Sequence, residues 1–555
     1  MKKYLLLTLV GFAALSCRQI LVAAESKAAR PNLVLILADD MGYSDLGCFG
    51  SEIPTPNLDA LAAGGLRLTQ FYNSARCSPT RAALQTGLHP HQAGLGRLAE
   101  DKIGATARLP AGYLGYLNEH CVTLAEVLHS AGYHTYMAGK WHLGMRDESK
   151  WPRQRGFDRY YGILAGATSY FRPTGQRGLT LGNRQLPAAT NADYYTTDAF
   201  TDFALQNVSE NKIDEPFFLY LAFNAPHWPL NARPEDIAKF VGKYRVGWDK
   251  LRGERHARQI KMGIVSQAWP LSDRDSGARA WDALTDEQKT NLDYRMAVYA
   301  AQVNRLDWNV GRLVATLRER GQLDQTLIVF LSDNGACAEP YTDLGGGQQV
   351  QINDPTVIGA ISYGQGWANL SDTPFRRFKS MLHEGGIAAP FIIHWPAGLK
   401  TRPGSLDATP GYIADLMPTF LEVSGATYPK EFKGQAITPY IGRSLVPIFS
   451  AAPQPVMPRV LYWEQYGFKA VRDGNLKAVF SPKEAYDHHG SGRWELYDLA
   501  QDRTEQHDLA AVHPDALKQL QLEWAVWADH AQVFPAPGGP QRDEAKTKAA
   551  SNEKE

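Results

Sequence analysis

Residues 77–87 read Cys-Ser-Pro-Thr-Arg-Ala-Ala-Leu-Gln-Thr-Gly. The order predicts the start of a short helix. Ser78 is suited to cap it, and Pro79 fits the first turn, where a missing N–H costs nothing. Cys77 then lies at the positive end of the helix dipole, with Arg81 one turn further on. An anion drawn to that end would meet a reactive side chain. An ordinary buried cysteine at a helix start is the plainer reading of the first five residues alone.

Other residues able to do chemistry stand just beyond wholly apolar runs. The run 32–38 ends in Asp39-Asp40, and 135–138 leads into Gly139-Lys-Trp-His-Leu-Gly144. Run 217–223 leads to Asn224-Ala-Pro-His227, and 326–331 to Asp333-Asn334-Gly335. Asp39, Asp40, Asp333 and Asn334 all offer oxygen. Together they would make an acidic nest for a hard cation, calcium before zinc, with magnesium the alternative. Taken singly, Asp-Asp and Asp-Asn pairs serve as turn and helix caps. Lys140 offers a compact positive donor to an oxyanion, and His142 suits proton transfer near neutral pH. These two point the same way if their strand continues; otherwise a loop must place them. His227, flanked by Pro226 and Trp228-Pro229, sits in a stiffened segment.

These clusters need elements to bring them together. The four runs, and a fifth at 390–394, are apolar on both faces, which suits a parallel sheet covered by helices. Helix patterns such as 56–63 and 122–131, closed by Gly64-Gly65 and Gly132, lie between them. In open α/β sheets the ligand site lies beyond the carboxyl ends of the strands. The expected fold is therefore α/β, a large mostly parallel sheet flanked by helices, with its polar clusters converging on one crevice. Past a proline-rich linker at 450–458, runs at 460–464, 469–472, 476–480 and 494–497 read as a small antiparallel sheet. Leu517, Leu520, Trp524 and Trp527 mark one face of a last helix. Residues 230–290 lack clear periodicity and read as an elaborated loop region. The expected division is 31–450 as the catalytic unit, 459–535 as a small α+β unit and 541–555 as a disordered tail.

With the alanines, leucine and Thr86-Gly87 that follow it, the Cys77 segment resembles the signature of the type I sulfatases, closest to bacterial arylsulfatases. The 139–144 block is similar to a further element of that family. So is Thr373-Pro-Phe-Arg-Arg-Phe-Lys379 ahead of Leu382-His-Glu-Gly-Gly-Ile387. The resemblance runs in order from about residue 31 to 396, with a family-like ending at 494–499. It implies an alkaline-phosphatase-like fold and hydrolysis of sulfate esters, either small molecules or sulfated sugars. It implies that a formylglycine-generating enzyme oxidises Cys77 to an aldehyde whose hydrate is the nucleophile. It also implies one divalent cation held by Asp39, Asp40, residue 77, Asp333 and Asn334. Asp333 would act as base for the attack, and Arg81, Lys140 and Lys379 would hold the sulfuryl oxygens. His227, with Lys379, would protonate the departing alcohol or phenol, and His142 would take the proton of the second hydroxyl. Arg376 and Arg377 are basic alternatives to Lys379, which rests on the resemblance. His89, His91 and His383 are read as supporting residues. Two alternatives stay open: a phosphomonoester, phosphodiester or phosphonate hydrolase of the same superfamily, and an unmatured protein that binds sulfated glycans without turnover.

The chain has 555 residues with 58 basic and 58 acidic side chains, so it favours neither nucleic acid nor an anionic membrane surface. Lys2, Lys3 and the apolar run 5–15, shorter than the roughly 20 residues of a spanning helix, read as a signal peptide over 1–24. The protein is therefore expected in the bacterial periplasm, with secretion or a lipid anchor at Cys17 as the alternatives. No integral membrane segment is expected. Beyond the signal only Cys48, Cys77, Cys121 and Cys337 remain, too few for a disulfide scaffold.

Overall fold

The computed structural model of the protein describes residues 30–101, 109–450, 458–484 and 490–536. The expected signal peptide with Cys17, most of the linker and the tail lie outside the described residues. The centre is an 11-stranded sheet. In chain order its strands are β1 Asn32–Asp39, β2 Leu66–Tyr72, β3 His134–Lys140, β4 Arg159–Ile163, β5 Leu179–Leu181, β6 Arg184–Gln185, β7 Phe217–Pro226, β8 Thr326–Ser332, β9 Ala388–His394, β10 Ser405–Asp407 and β11 Gly411–Tyr412. They lie in the order β10-β2-β9-β8-β1-β7-β3-β4-β5-β6, with β11 also on β2.

β1 is buried along its whole length and runs parallel to both neighbours, Leu33 pairing with Phe218 on β7 and Leu327 on β8. β3 is parallel to β7 and β4. Their carboxyl ends therefore align on one edge, where Asp39-Asp40, Lys140, His227 and Asp333-Asn334 emerge. Most pairings in the sheet are parallel, as expected, but the sheet is mixed: β9 is antiparallel to both β8 and β2, and β5 to both β4 and β6. An apolar run buried on both faces does not encode strand direction. Here the path of the chain does: the segment after β8 stays at the carboxyl edge, where Gly335 N–H bonds Gly386 O at 3.1 Å, so β9 must return the other way.

Helices flank the sheet. α1 Pro56–Ala63 starts on its proline and stops at Gly64, as read. α2 Cys77–Thr86 is buried at all ten residues. α3 Leu124–Ser130 opens on a capping box in which Thr123 and Glu126 satisfy each other's backbone N–H. α4 is Thr196–Glu210. A 34-residue helix, Asp286–Glu319, packs on α1, α4 and β7, and the helix Trp248–Met262 occupies part of the region expected to be loop. The latter buries Arg252, Arg255 and Gln259 beside Trp248 and Leu251, and these polar residues break the apolar stripe that would have marked it.

Strands Val460–Gln465, Phe468–Asp473, Leu476–Phe480 and Trp494–Asp498 form the four-stranded antiparallel sheet. One set of its side chains, including Leu461, Trp463 and Phe468, joins the main core. The other, Val471, Ala478 and Leu496, packs with Trp524 and Trp527 of the helix Pro514–His530. Buried ion pairs fasten it: Lys477 Nζ lies 2.9 Å from both Glu384 and Glu505, and Arg503 Nε 2.8 Å from Glu384. Among the described residues Cys48, Cys77, Cys121 and Cys337 are free thiols, and no helix is long and apolar enough to cross a membrane.

Gly139 decides how β3 delivers Lys140. Its φ is +109°, and a Cβ there would fall 1.8 Å from Ala222 O on β7. Gly139→Ala must part the two strands or rotate the peptide ahead of Lys140. The expected outcome is a loss of at least about 2 kcal/mol in urea denaturation, from strain alone.

Candidate active site

The site grows from the end of β1. Asp39 is the last strand residue, and Asp40 turns into the left-handed region at φ +67°. The turn is held by Asp40 N–H to Asp333 Oδ1 at 3.2 Å and Met41 N–H to Ser332 Oγ at 3.0 Å, both from the end of β8. Asn334 Nδ2 donates to Asp40 Oδ1 at 2.6 Å and to Gly335 O.

α2 brings Cys77 and Arg81 to the same point. Cys77 is its first residue and 2% exposed. Ser78 does not cap this helix. The cap position is Arg76, in extended conformation and without a side-chain cap bond, while Ser78 Oγ accepts the N–H of Ala99. The loop is instead tied by Thr80, whose Oγ1 accepts from Ser74 N–H. Arg81 reaches Asp333 Oδ2 through Nε and a terminal nitrogen at 3.0 and 2.8 Å, and stands 3.5 Å from Asp39. Its other terminal nitrogen donates to Lys140 O at 2.9 Å.

Lys140 Nζ straddles the Asp39 carboxylate at 2.9 and 2.7 Å, and Lys379 Nζ lies 2.8–2.9 Å from the two oxygens of Asp40. Three buried carboxylates thus face three buried cations. Burial would raise the Asp333 carboxyl, but Arg81 and Lys140 outweigh it and hold it below the usual carboxylate range. Burial pushes Asp39 up, opposed by Lys140. For Lys379 burial works downward, but Asp40 overrides it and raises the ammonium. The Cys77 thiol is pushed up by burial against the pull of Lys140 and Lys379.

His227 follows β7. Its Nδ1 donates to Trp228 O at 2.7 Å, so the bare Nε2 of the neutral ring stands 3.4 Å from Asp40 Oδ2. Burial, then Lys379 and Lys140, push its imidazole well below the ordinary value. Tyr170 fixes this segment by donating to the carbonyls of Asn224 and His227. β3 stops at Lys140, so the following turn places His142, with φ +59° and its ring Nε2 on Glu100.

One ligand atom each from Asp39, Asp40, Cys77 and His227 all lie within 4.8 Å of one another. The expected metal set had Asp333 and Asn334 in place of His227. Asn334 leaves its Oδ1 buried and unpartnered, an oxygen a hard cation would satisfy. Asp333 is engaged by Arg81. These oxygens fit a calcium- or magnesium-like ion. Because the three acids are already matched by three bases, a divalent ion would make the pocket positive and favour an oxyanion.

Sequence reasoning missed several contributors. Glu339 takes Arg76 at 2.5 Å and the Trp228 indole N–H at 3.0 Å, linking the α2 cap to the His227 loop. Glu100 contacts His142 Nε2, and Gly166 N–H binds the same carboxylate at 2.6 Å. Nothing in their local sequence marks them, because each acts across a fold contact. His89, His91 and His383 bond Trp527, Glu464 and Glu495, and so anchor the C-terminal sheet and helix.

The Arg81–Asp333 pair has a measurable consequence. Arg81→Leu leaves Asp333 buried without its nearest counter-charge, for an expected loss of about 3–5 kcal/mol in urea denaturation. Adding Asp333→Asn to that variant is expected to recover most of the loss.

Residues 31–426 match the Sulfatase family. An uncharacterized sulfatase of Schizosaccharomyces pombe is 36% identical over 546 residues, covering 93% of this chain and 96% of the relative. An arylsulfatase of Klebsiella aerogenes is 36% identical over 449 residues, covering 77% of this chain and 94% of the relative. Among solved structures, Ps i-CgsB superposes with a TM-score of 0.64 at 26% identity, covering 90% of this chain and 93% of that one. The matched span takes in Asp39 at its start, the Cys77 helix and Lys379 near its end. With the sheet and its carboxyl-edge crevice in place, that continuity identifies the chain as a member of the sulfatase family, an alkaline-phosphatase-like fold that hydrolyses sulfuric esters.

Proposed function

We propose that this sulfuric ester hydrolase works through formylglycine at position 77 and a single divalent cation, calcium fitting the donors best. The observation that carries the reading is the packing of the Cys77 sulfur with carboxylate oxygens of Asp39 and Asp40 at the buried start of α2. The hydrate of a formylglycine supplies a hydroxyl that attacks sulfur, and a second hydroxyl whose loss of a proton restores the carbonyl and expels sulfate. Asp39, Asp40, Asp333 and Asn334 would hold the cation, which neutralises charge on the ester and lowers the nucleophile's pKa.

The chain's own residues supply the rest. Arg81, Lys140 and Lys379 bind the sulfuryl oxygens and stabilise charge as the S–O bond breaks. Asp333, kept ionised by Arg81, orients the attacking hydroxyl and takes its proton. The leaving oxygen takes its proton from Lys379, whose ammonium is favoured beside Asp40, together with His227, which can give one from Nε2 only as the imidazolium, its Nδ1–H staying on Trp228 O. His142 accepts the proton of the second hydroxyl.

A cavity of about 1250 Å³, lined among others by Glu100, Leu164, Arg177, Thr180 and Ile358, lies beside both histidines. Glu100 contacts His142, and the Arg177 guanidinium stacks over Trp228, next to His227. The cavity exceeds the size of a simple phenol, which supports a sugar as the leaving group and hence a sulfated sugar as the substrate. We read 31–450 as the catalytic unit and 459–535 as a small unit fastened to it. The charged, then apolar, N-terminus supports export to the periplasm, and maturation would need a formylglycine-generating enzyme.

Peptide mass spectrometry of active protein is expected to show the thiol of residue 77 converted to an aldehyde. Turnover of nitrophenyl sulfate should exceed that of nitrophenyl phosphate, stop on chelation and return with calcium. Asp333→Ala should lower kcat by at least about 100-fold while the protein stays folded. Full activity with only a thiol at position 77 would overturn the mechanism.

A further inference from the structure

Glu100 belongs to none of the motifs, yet it is built into the site. His142 is 2% exposed and its Nδ1 is buried without a partner. Its Nε2 meets Glu100 Oε2 in a short contact, and the second oxygen of Glu100 accepts the Gly166 N–H at 2.6 Å. Gly166 is pressed against the pair: a Cβ there would fall 2.6 Å from His142 Cε1 and 2.9 Å from Glu100 Oε1. Carboxylate, ring and backbone are therefore locked together on the wall of the large cavity, which Glu100 also lines.

An ionised carboxylate only accepts hydrogen bonds, so the proton of a neutral His142 ring must sit on Nε2. Burial lowers the imidazole, Glu100 raises it, and Lys140 and Arg81, the other charges facing it, lower it further. Glu100 itself is held at about 2 despite its burial, chiefly by His142 and the Gly166 N–H. The ring is thus presented neutral, in one tautomer, with one bare nitrogen.

We infer that Glu100, braced by Gly166, is a positioning residue for sulfate release: it fixes the proton of His142 on Nε2 and leaves Nδ1 as the acceptor for the proton taken from residue 77. The logic parallels that of the carboxylate that orients the histidine of hydrolytic triads. The inference rests on the role proposed above for His142. It differs from a structural salt bridge in demanding one tautomer and one free nitrogen.

The test is nitrogen NMR of full-length protein labelled at histidine, the His142 signals being assigned by comparison with His142→Gln. In the wild type His142 is expected as the Nε2-protonated tautomer near neutral pH, and Glu100→Gln should shift that signal. In matured enzyme Glu100→Gln is expected to lower kcat about 10–100-fold with KM changed by less than about threefold, and Glu100→Asp to recover part of the loss. A wild-type His142 protonated on Nδ1, or a Glu100→Gln enzyme with kcat within about twofold of wild type, overturns the inference. The tautomer is read without turnover, so this result is independent of whether residue 77 proves to be an aldehyde.

Discussion

Three carboxylates buried at the ends of two neighbouring strands can stay ionised only if three cations reach the same point. Asp39, Asp40 and Asp333 are 0–1% exposed, as are Arg81, Lys140 and Lys379. Removing one ion from such a set leaves its partner unpaired in a low dielectric, a cost of several kcal/mol. The carboxylates come from β1 and β8, while the cations come from α2, β3 and the segment ahead of β9. Five stretches of chain must therefore arrive together, or none is stable there. The parallel centre of the sheet makes this feasible, because it delivers strand ends to one edge. The same set balances charge within the crevice, so a bound cation would decide its net sign.

Much of this was legible because chemistry and architecture coincide in the sequence. Fully apolar runs ending abruptly in Asp-Asp, Gly-Lys-Trp-His or Asp-Asn-Gly mark both a buried strand and the edge of a site. Glycines in the 139–144 block are there for the backbone, Gly139 and Gly144 both having positive φ. Direction was not legible: the run that became β9 looks the same read either way. Nor were long-range satisfactions. Ser78 has the right chemistry and position for a helix cap, yet the fold spends it on Ala99 and ties the helix with Thr80. The helix Trp248–Met262 was obscured because Arg255 is buried by pairing with Asp45 and Glu52, so its inward face reads as polar.

The C-terminal sheet is fastened close to the site-bearing segments rather than to a remote surface. Glu384, in the helical turn just before β9, receives Lys477 and Arg503, and Tyr72 at the end of β2 bonds both Glu384 and Arg472. His383 pairs with Glu495 only four residues beyond Lys379. The approach that places the Lys379 ammonium on Asp40 is thus held from outside by charges on the last strands. A part of the chain with no catalytic residue proposed in it still bears on the geometry of the site.

What surrounds residue 77 also bears on its chemistry. Reactive cysteines are set where the thiolate is favoured, in electropositive and partly open surroundings. Here the thiol is 2% exposed and pushed upward, because burial and the negative charge of Asp333 and Asp40 outweigh what Lys140 and Lys379 give back. A thiolate would be a poor tenant of this position. An oxygen nucleophile with a cation beside it would not, since the cation could replace the missing stabilisation and the carboxylates could then act as its ligands. The electrostatics that disfavour a thiolate at position 77 are those that an oxidised, hydrated residue would put to use.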